Sequence, residues 1–180
     1  MNPKNLVIIM SDQHSRKVVG CYGNSYVRTP NLDRLASSGT VFKNAYCNNP
    51  ICVPSRASMI TGEYASSLGY WDNAHPYGGE IEGWGHRLEQ EGVPAITIGK
   101  LHFKEATDKV GFKKQRVSMN AFNGRGDIAG CIRNEQVRRS IRIKTIRSAG
   151  AGKTDYQRFD QSVADTAVKY IEEEAPLEES

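Results

Sequence analysis

Long apolar runs are absent from this 180-residue chain, and none approaches the roughly 20 residues that a membrane-spanning helix needs. No membrane partner is therefore expected. The first apolar run, LVIIM at residues 6–10, directly follows MNPKN. It is too short for the core of a secretory leader, and no small-residue cleavage site follows it, which points to a cytoplasmic protein. Cysteine pairs at metal-ligand spacing are also missing. Cys21, Cys47, Cys52 and Cys131 are irregularly placed, with no CxxC among them. That argues against a zinc knuckle and, in a reducing compartment, against a disulfide framework. No internal repeat is visible. Nor is charge of one sign in large excess: 24 Lys+Arg against 20 Asp+Glu leave a net charge of +4. Much of the excess falls on Arg133, Arg138, Arg139, Arg142, Lys144 and Arg147. This stretch lacks interleaved aromatics and any recognisable nucleic-acid module, so no nucleic-acid partner is expected. A mild local excess is more often a solvated face, though it also helps to attract an anionic substrate.

What remains is an ordinary globular composition, 38% hydrophobic and 24% charged, long enough for one domain with a core. Leu6–Met10 predicts a buried parallel-type strand. It ends in Ser11-Asp12-Gln13-His14, polar residues at the carboxyl end of a strand, where ligands sit in open α/β sheets. Thr29 and Pro30 predict a helix start, with Leu32 and Leu35-Ala36 as its apolar stripe and Gly39 as its stop. Val41–Tyr46 alternates like a short strand, and Pro54–Ile60 suits a short helix. Gly83–Gln90 reads as helical, closed by Gly92. Val93–Ile98 is a second buried strand, and its end carries Gly99-Lys100-Leu101-His102. Residues 104–157 are weakly periodic, with a helix allowed near Asn134–Ile143. Phe159–Glu174 predicts an amphipathic helix with Val163, Ala167, Tyr170 and Ile171 near helical spacing, capped by Asp155 or Asp160. The alternation argues for an α/β fold with a parallel sheet flanked by helices. Two convincing strands cannot cover both faces and edges of such a sheet, so an incomplete fold is expected.

Three polar clusters follow strands or open a helix: Asp12 with Gln13, Cys52 with Arg56, and Lys100 with His102. Asn73 lies in the loop DNAHPYGG. Singly, each has a plain structural use. Asp12 suits a turn, Cys52 a small buried hydrophobe, Lys100 a solvated position and His102 a core histidine. His14, His75 and His86 keep such readings, and Trp71 and Trp84 suit core or pocket wall. Together the clusters suit a site for a tetrahedral dianion. Cationic groups neutralise its oxygens, hard oxygen donors hold a divalent metal that polarises the ester, and a helix N-terminus favours a nucleophile.

CVPSRASMITG at residues 52–62 resembles the signature of type I sulfatases, Cys-x-Pro-Ser-Arg followed by a short helix and Thr-Gly. NLVIIMSDQ is similar to the family's first strand and metal-binding turn, and RTPNLDRLASSGTVFKNAY to the helix and strand that follow. DNAHPY, WGHRL, IGKLHF and YQRFDQSVADTAVKYI resemble the choline-sulfatase-like and phosphonate-monoesterase-like branch. The resemblance covers residues 1–103 and 155–175. It implies an alkaline-phosphatase-like parallel sheet, of which residues 1–180 are the N-terminal part, truncated at the C-terminus.

The resemblance also implies a mechanism. A formylglycine-generating enzyme oxidises Cys52 to formylglycine; one hydroxyl of its hydrate attacks the sulfur of a small sulfate ester in line and the alcohol leaves, and the other hydroxyl then expels sulfate and regenerates the aldehyde. Pro54 and Arg56 belong to the sequence that this modifying enzyme reads, and Arg56 orients the hydrate or neutralises its charge. Asp12 and Gln13 hold a divalent metal together with residue 52. Asn73, Lys100 and His102 contact the sulfate or protonate the leaving oxygen. The metal is Ca²⁺ first, with Mn²⁺ or Mg²⁺ as alternatives. Two departures stand out. Gln13 replaces the second Asp of many sulfatases, which points to the named branch and favours Mn²⁺ somewhat. The family's second metal-binding pair and a later Lys have no counterpart after residue 105. The 180-residue chain is therefore expected to be inactive alone, needing a C-terminal partner or a homo-oligomer. Phosphonate or phosphate monoester hydrolysis on the same site, or a non-catalytic remnant, remain alternatives.

Overall fold

The computed structural model describes residues 5–121 and 150–175. The chain divides into two compact units, Met1–Tyr46 and Cys47–Ser180. In the first unit, helix α1 spans Pro30–Ser38 between Thr29 and Gly39, as the Thr-Pro start and Gly stop predict. The Thr29 side chain does not cap it, however. Its hydroxyl accepts the Gly20 N–H at 2.8 Å and donates to the Asp33 carboxylate at 3.2 Å. Asp33 Oδ1 also accepts the Cys21 N–H at 2.7 Å. The first turn of α1 thus holds the 3-10 turn Gly20–Tyr22. A Cβ on Gly20 would stand 2.5 Å from Asp33 Oδ2, so the approach requires glycine.

The two strands expected in this unit do not form. Leu6–Met10 is irregular and exposed, from 46% at Met10 to 88% at Ile9. Val41–Tyr46 is also irregular, with Phe42 and Tyr46 exposed. The physical reason is pairing. A buried parallel strand needs neighbours on its edges and cover on its faces, and no strand forms among the described residues of this unit. Backbone carbonyls of the second segment are taken by side chains instead: Phe42 O by the Tyr22 hydroxyl at 2.9 Å and Lys43 O by Arg16 Nη1 at 2.8 Å.

In the second unit, α2 spans Cys52–Thr61, α3 Ala65–Leu68 and α4 Trp84–Gln90. Val53, Ala57 and Ile60 recur at helical spacing on α2 and are at most 1% exposed. They form the core with Tyr70, Tyr77, Phe103 and Val110. Gly62, with φ of 77°, ends α2 and returns its N–H to Ser58 O at 2.8 Å.

Strands β1 (Ile96–Ile98) and β2 (Lys114–Arg116) pair in parallel, Ile96 with Lys114 and Ile98 with Arg116. The expected strand Val93–Ile98 is thus shortened to its last three residues, and β2 had no apolar pattern to announce it. Helix α5 spans Asp155–Glu173 and packs on β1. Val163 Cγ1 lies 3.0 Å from where a Cβ on Gly99 would stand. The expected cap, Asp155 or Asp160, is corrected to Thr154. Its Oγ1 accepts the Gln157 N–H at 3.2 Å, and Gln157 Oε1 accepts the Thr154 N–H at 2.8 Å. The helix allowed near Asn134–Ile143 lies outside the described residues.

Candidate active site

Helix α2 carries Cys52 at its first position, after the extended residue Ile51. The first turn of any helix leaves N–H groups without intrahelical acceptors. Pro54, third in α2, has no N–H to leave. The Val53 N–H is taken from outside the helix by Asn73 Oδ1 at 2.9 Å. Asn73 is held in place by a turn of its own. Buried Asp72 accepts the Ala74 N–H at 2.8 Å through Oδ1 and lies 3.3 Å from His75 Nδ1.

Arg56 sits one turn further along α2 and is 6% exposed. A buried guanidinium needs acceptors, and its Nη1 donates to the backbone carbonyl of Lys100 at 2.5 Å. This bond joins α2 to the segment after β1. The Lys100 side chain then turns back toward α2, with Nζ 4.0 Å from Cys52 Sγ. Cys52 itself is partly exposed, so the cation and the helix N-terminus converge on a thiol that solvent reaches. His102 lies two residues beyond Lys100 in a left-handed conformation, φ 59°. Its N–H donates to Met119 O at 3.2 Å. The structure therefore brings Cys52, Arg56, Asn73 and Lys100 together, with His102 on the same segment as Lys100.

The core beside α2 is aromatic. Tyr77, Phe103, Phe112 and Trp84 meet in succession with ring centroids 5.0–6.1 Å apart, Phe103 and Phe112 stacked and Trp84 edge-on to Phe112. The Tyr70 hydroxyl donates to Glu80, which closes the loop that carries Asn73. Burial first, then the hydrogen bond to Glu80, pushes the Tyr70 hydroxyl well above the usual tyrosine range. Burial and the Glu80 charge push Tyr77 up to about 12. Burial alone would raise the Glu80 carboxyl. The bonds from Tyr70, from its own amide and from the Gly78 amide outweigh it and hold the group below the ordinary carboxylate value. Sequence reasoning missed this brace and the buried Asp72. Tyr-Trp-Asp-Asn offered no spacing signal for either.

Asp12 and Gln13 lie in the first unit, in a turn where both are exposed and Gln13 takes φ 55°. A carboxylate and an amide carbonyl are hard oxygen donors, suited by type to a Ca²⁺-, Mn²⁺- or Mg²⁺-like ion. By number they would be part of the six to eight oxygens that Ca²⁺ takes. No cluster of three or more His, Cys, Asp or Glu that could hold a metal occurs among the described residues.

The chain belongs to the sulfatase family, whose family model matches residues 4–179. It is 37% identical over 98 residues to the N-acetylglucosamine-6-O-sulfatase of Bacteroides thetaiotaomicron, covering 54% of this chain and 18% of that protein. It is 33% identical over 111 residues to the choline-sulfatase of Rhizobium meliloti, covering 62% and 22%. Among solved structures it is similar to BT4656 in complex with its substrate D-glucosamine-2-N,6-O-disulfate, with TM-score 0.54 and 35% identity over 59% of this chain and 21% of that chain. The chain thus spans about a fifth of the length of these relatives, and its fold is the corresponding part of a sulfatase, helices around a small parallel sheet. Among the described residues no helix is long and apolar enough to cross a membrane.

Proposed function

We propose that the chain carries the nucleophile-bearing part of a sulfatase active site, which hydrolyses a sulfate monoester of a small alcohol. The observation that carries this reading is the convergence on Cys52 of the N-terminus of α2 and the Lys100 ammonium, 4.0 Å from its sulfur. Both stabilise negative charge at residue 52 and on a sulfate group brought against it. Converted to formylglycine by a formylglycine-generating enzyme, residue 52 supplies a hydroxyl nucleophile and a means of releasing sulfate. Lys100 neutralises sulfate oxygens. Arg56 holds the Lys100 carbonyl and with it the approach of the lysine to residue 52. The Asn73 carbonyl oxygen is engaged by Val53, which leaves its NH₂ end as the donor to a sulfate oxygen. His102 gives a proton to the departing alkoxide. Asp12 and Gln13 are the residues that would hold a divalent ion, Ca²⁺ or a Mn²⁺- or Mg²⁺-type alternative, whose chemistry would be to polarise the ester.

The test is made on the native-length protein from its source cells, whose intact mass is measured first. The peptide that contains residue 52 is then analysed for an aldehyde in place of the thiol, and sulfate release is compared between this protein and Cys52→Ala. An aldehyde at residue 52 and loss of turnover in the variant are expected. An unmodified thiol with sulfate release unchanged in Cys52→Ala would overturn the reading.

A further inference from the structure

Helix α4 is tied down at its first turn by one imidazole. His86, the third residue of α4, accepts the Gly83 N–H through Nδ1 at 3.1 Å. Its Nε2 lies 2.9 Å from the Lys109 carbonyl oxygen. An amide N–H only donates and a carbonyl oxygen only accepts. The two partners therefore fix the ring as the neutral tautomer with its proton on Nε2. The first bond closes the helix start, in the place that Glu or Gln takes in a capping box. The second reaches across 23 residues of sequence to the loop before β2.

The joint around this ring has no slack. A Cβ on Gly83 would stand 2.5 Å from Ile60 O in the last turn of α2, and a Cβ on Gly111 2.0 Å from the His86 nitrogen. Trp84 Nε1 donates to Met59 O at 3.2 Å, so α4 is also held to α2. The loop enters the sheet directly, the Lys113 N–H donating to Ala95 O at 2.9 Å. The charged neighbours of the ring on its own segment are Glu82, Arg87 and Glu89. On the loop they are Glu105, Asp108 and Lys109, and on the turn at Gly79, against which Lys109 O packs, Glu80. Among the described residues none of these forms an ion pair with His86. Glu82 accepts from Gln90, Asp108 from the Glu105 amide and Glu80 from Tyr70.

We propose that His86 is an acid-sensitive clip that holds the first turn of α4 to the loop 109–111. On acidification Nδ1 takes a proton from solvent and changes from acceptor to donor. It then faces the Gly83 N–H donor to donor, and the cap bond is lost. The ring has to turn to take the new N–H away from Gly83, and that turn carries Nε2 off the Lys109 carbonyl. The clip needs the neutral ring, so its contribution is complete at high pH and is lost as pH falls. Histidine is the side chain whose charge ordinarily changes between pH 5 and 8. Opening is local: α4 and the loop separate while the rest of the unit stays folded. The device lies outside the chemistry at residue 52 and does not depend on the sulfatase reading.

The test is amide hydrogen exchange of the native-length protein, read by mass spectrometry at about pH 8 and about pH 5. Labelling times are scaled for the pH dependence of free-amide exchange. Peptides covering residues 83–87 and 109–113 are expected to lose protection roughly 3- to 10-fold at the lower pH, the worth of one hydrogen bond. The helix Asp155–Glu173 should keep its protection. His86→Gln keeps an acceptor and a donor but takes up no proton, so its two peptides should be equally protected at both values. If His86→Gln does not fold, His86→Glu, which also accepts at this capping position, replaces it with the same outcomes. Protection in the unsubstituted protein that does not change with pH would overturn the proposal. So would an equal loss in the variant, which would place the titrating group elsewhere, or a loss shared by Asp155–Glu173, which would be general acid unfolding. None of these readings involves turnover, so the sulfatase reading stands or falls separately at residue 52.

Discussion

Asn73 caps a helix to which it does not belong. Its Oδ1 accepts the Val53 N–H at 2.9 Å, across twenty residues of sequence, at the turn that presents Cys52. Loss of a side-chain N-cap costs roughly 0.5–2 kcal/mol. Asn73→Ala is expected to lose about that much stability in a denaturant titration, whereas Asn73→Asp, which keeps the acceptor, should lose less. Equal losses in the two variants would show that the cap bond contributes nothing.

Arg56 joins α2 to the segment after β1 through the Lys100 carbonyl. Hydrogen bonds to charged groups contribute roughly 1.5–3 kcal/mol. Arg56→Met keeps much of the buried volume and removes the charge. It should release the Lys100 segment, so backbone amides of residues 99–103 should exchange hydrogen faster than in the unsubstituted protein. Unchanged exchange there would remove Arg56 from this role.

Gly111 has φ 78°, and a Cβ at that position would stand 2.0 Å from the His86 backbone nitrogen. No side chain can move aside to relieve a clash with backbone. Gly111→Ala should therefore destabilise by more than the about 1 kcal/mol typical of single substitutions. Gly92, also left-handed at φ 71°, has open space around its would-be Cβ, and Gly92→Ala should cost less. Comparison of the two thermal midpoints checks the contrast.

The Tyr70–Glu80 brace predicts a stability plateau with two shoulders. Glu80 has a lowered carboxyl value when folded. Its contribution is complete above the unfolded carboxylate value and is lost as pH falls through the folded one. The tyrosines shift the other way, Tyr77 up to about 12. Their contribution is complete below the ordinary tyrosine value of about 10 and is lost as pH rises above it. Glu80→Gln should flatten the acid shoulder of the thermal midpoint. An unchanged acid shoulder in that variant would assign the pH dependence to other carboxylates.

The legible part of the fold was the part that local chemistry decides. Pro30 and Gly39 bracket α1, and the left-handed Gly62 and Gly92 follow the ends of their helices, because proline and glycine act on the backbone over a few residues. The last helix was legible by its apolar period from Phe159 on, whereas its first turn, which starts at Asp155, was not. What misled was burial. LVIIM reads as a strand only if something covers it, and that condition is not local. The strand β2, KQR, gave no signal because two of its three side chains are charged and its place depends on pairing with Ile96–Ile98. At the site, the Cys-x-Pro-Ser-Arg run marked the helix and its nucleophile position. The contacts of Asn73 with Val53 and of Arg56 with Lys100 span twenty and more residues, so only the folded chain displays them.

The exposed run Leu6–Met10 has a consequence for handling the 180-residue chain. Sulfate is both the product of the reaction proposed above and a strongly salting-out ion, one that is excluded from protein surfaces and so drives apolar segments out of contact with water. A segment of five consecutive exposed apolar residues is where that pressure would act first, through self-association of neighbouring molecules. Sulfate-binding titrations of the 180-residue chain would then record two processes at once, occupancy of the site and loss of dispersed protein. Light scattering followed in the same cuvette separates the two.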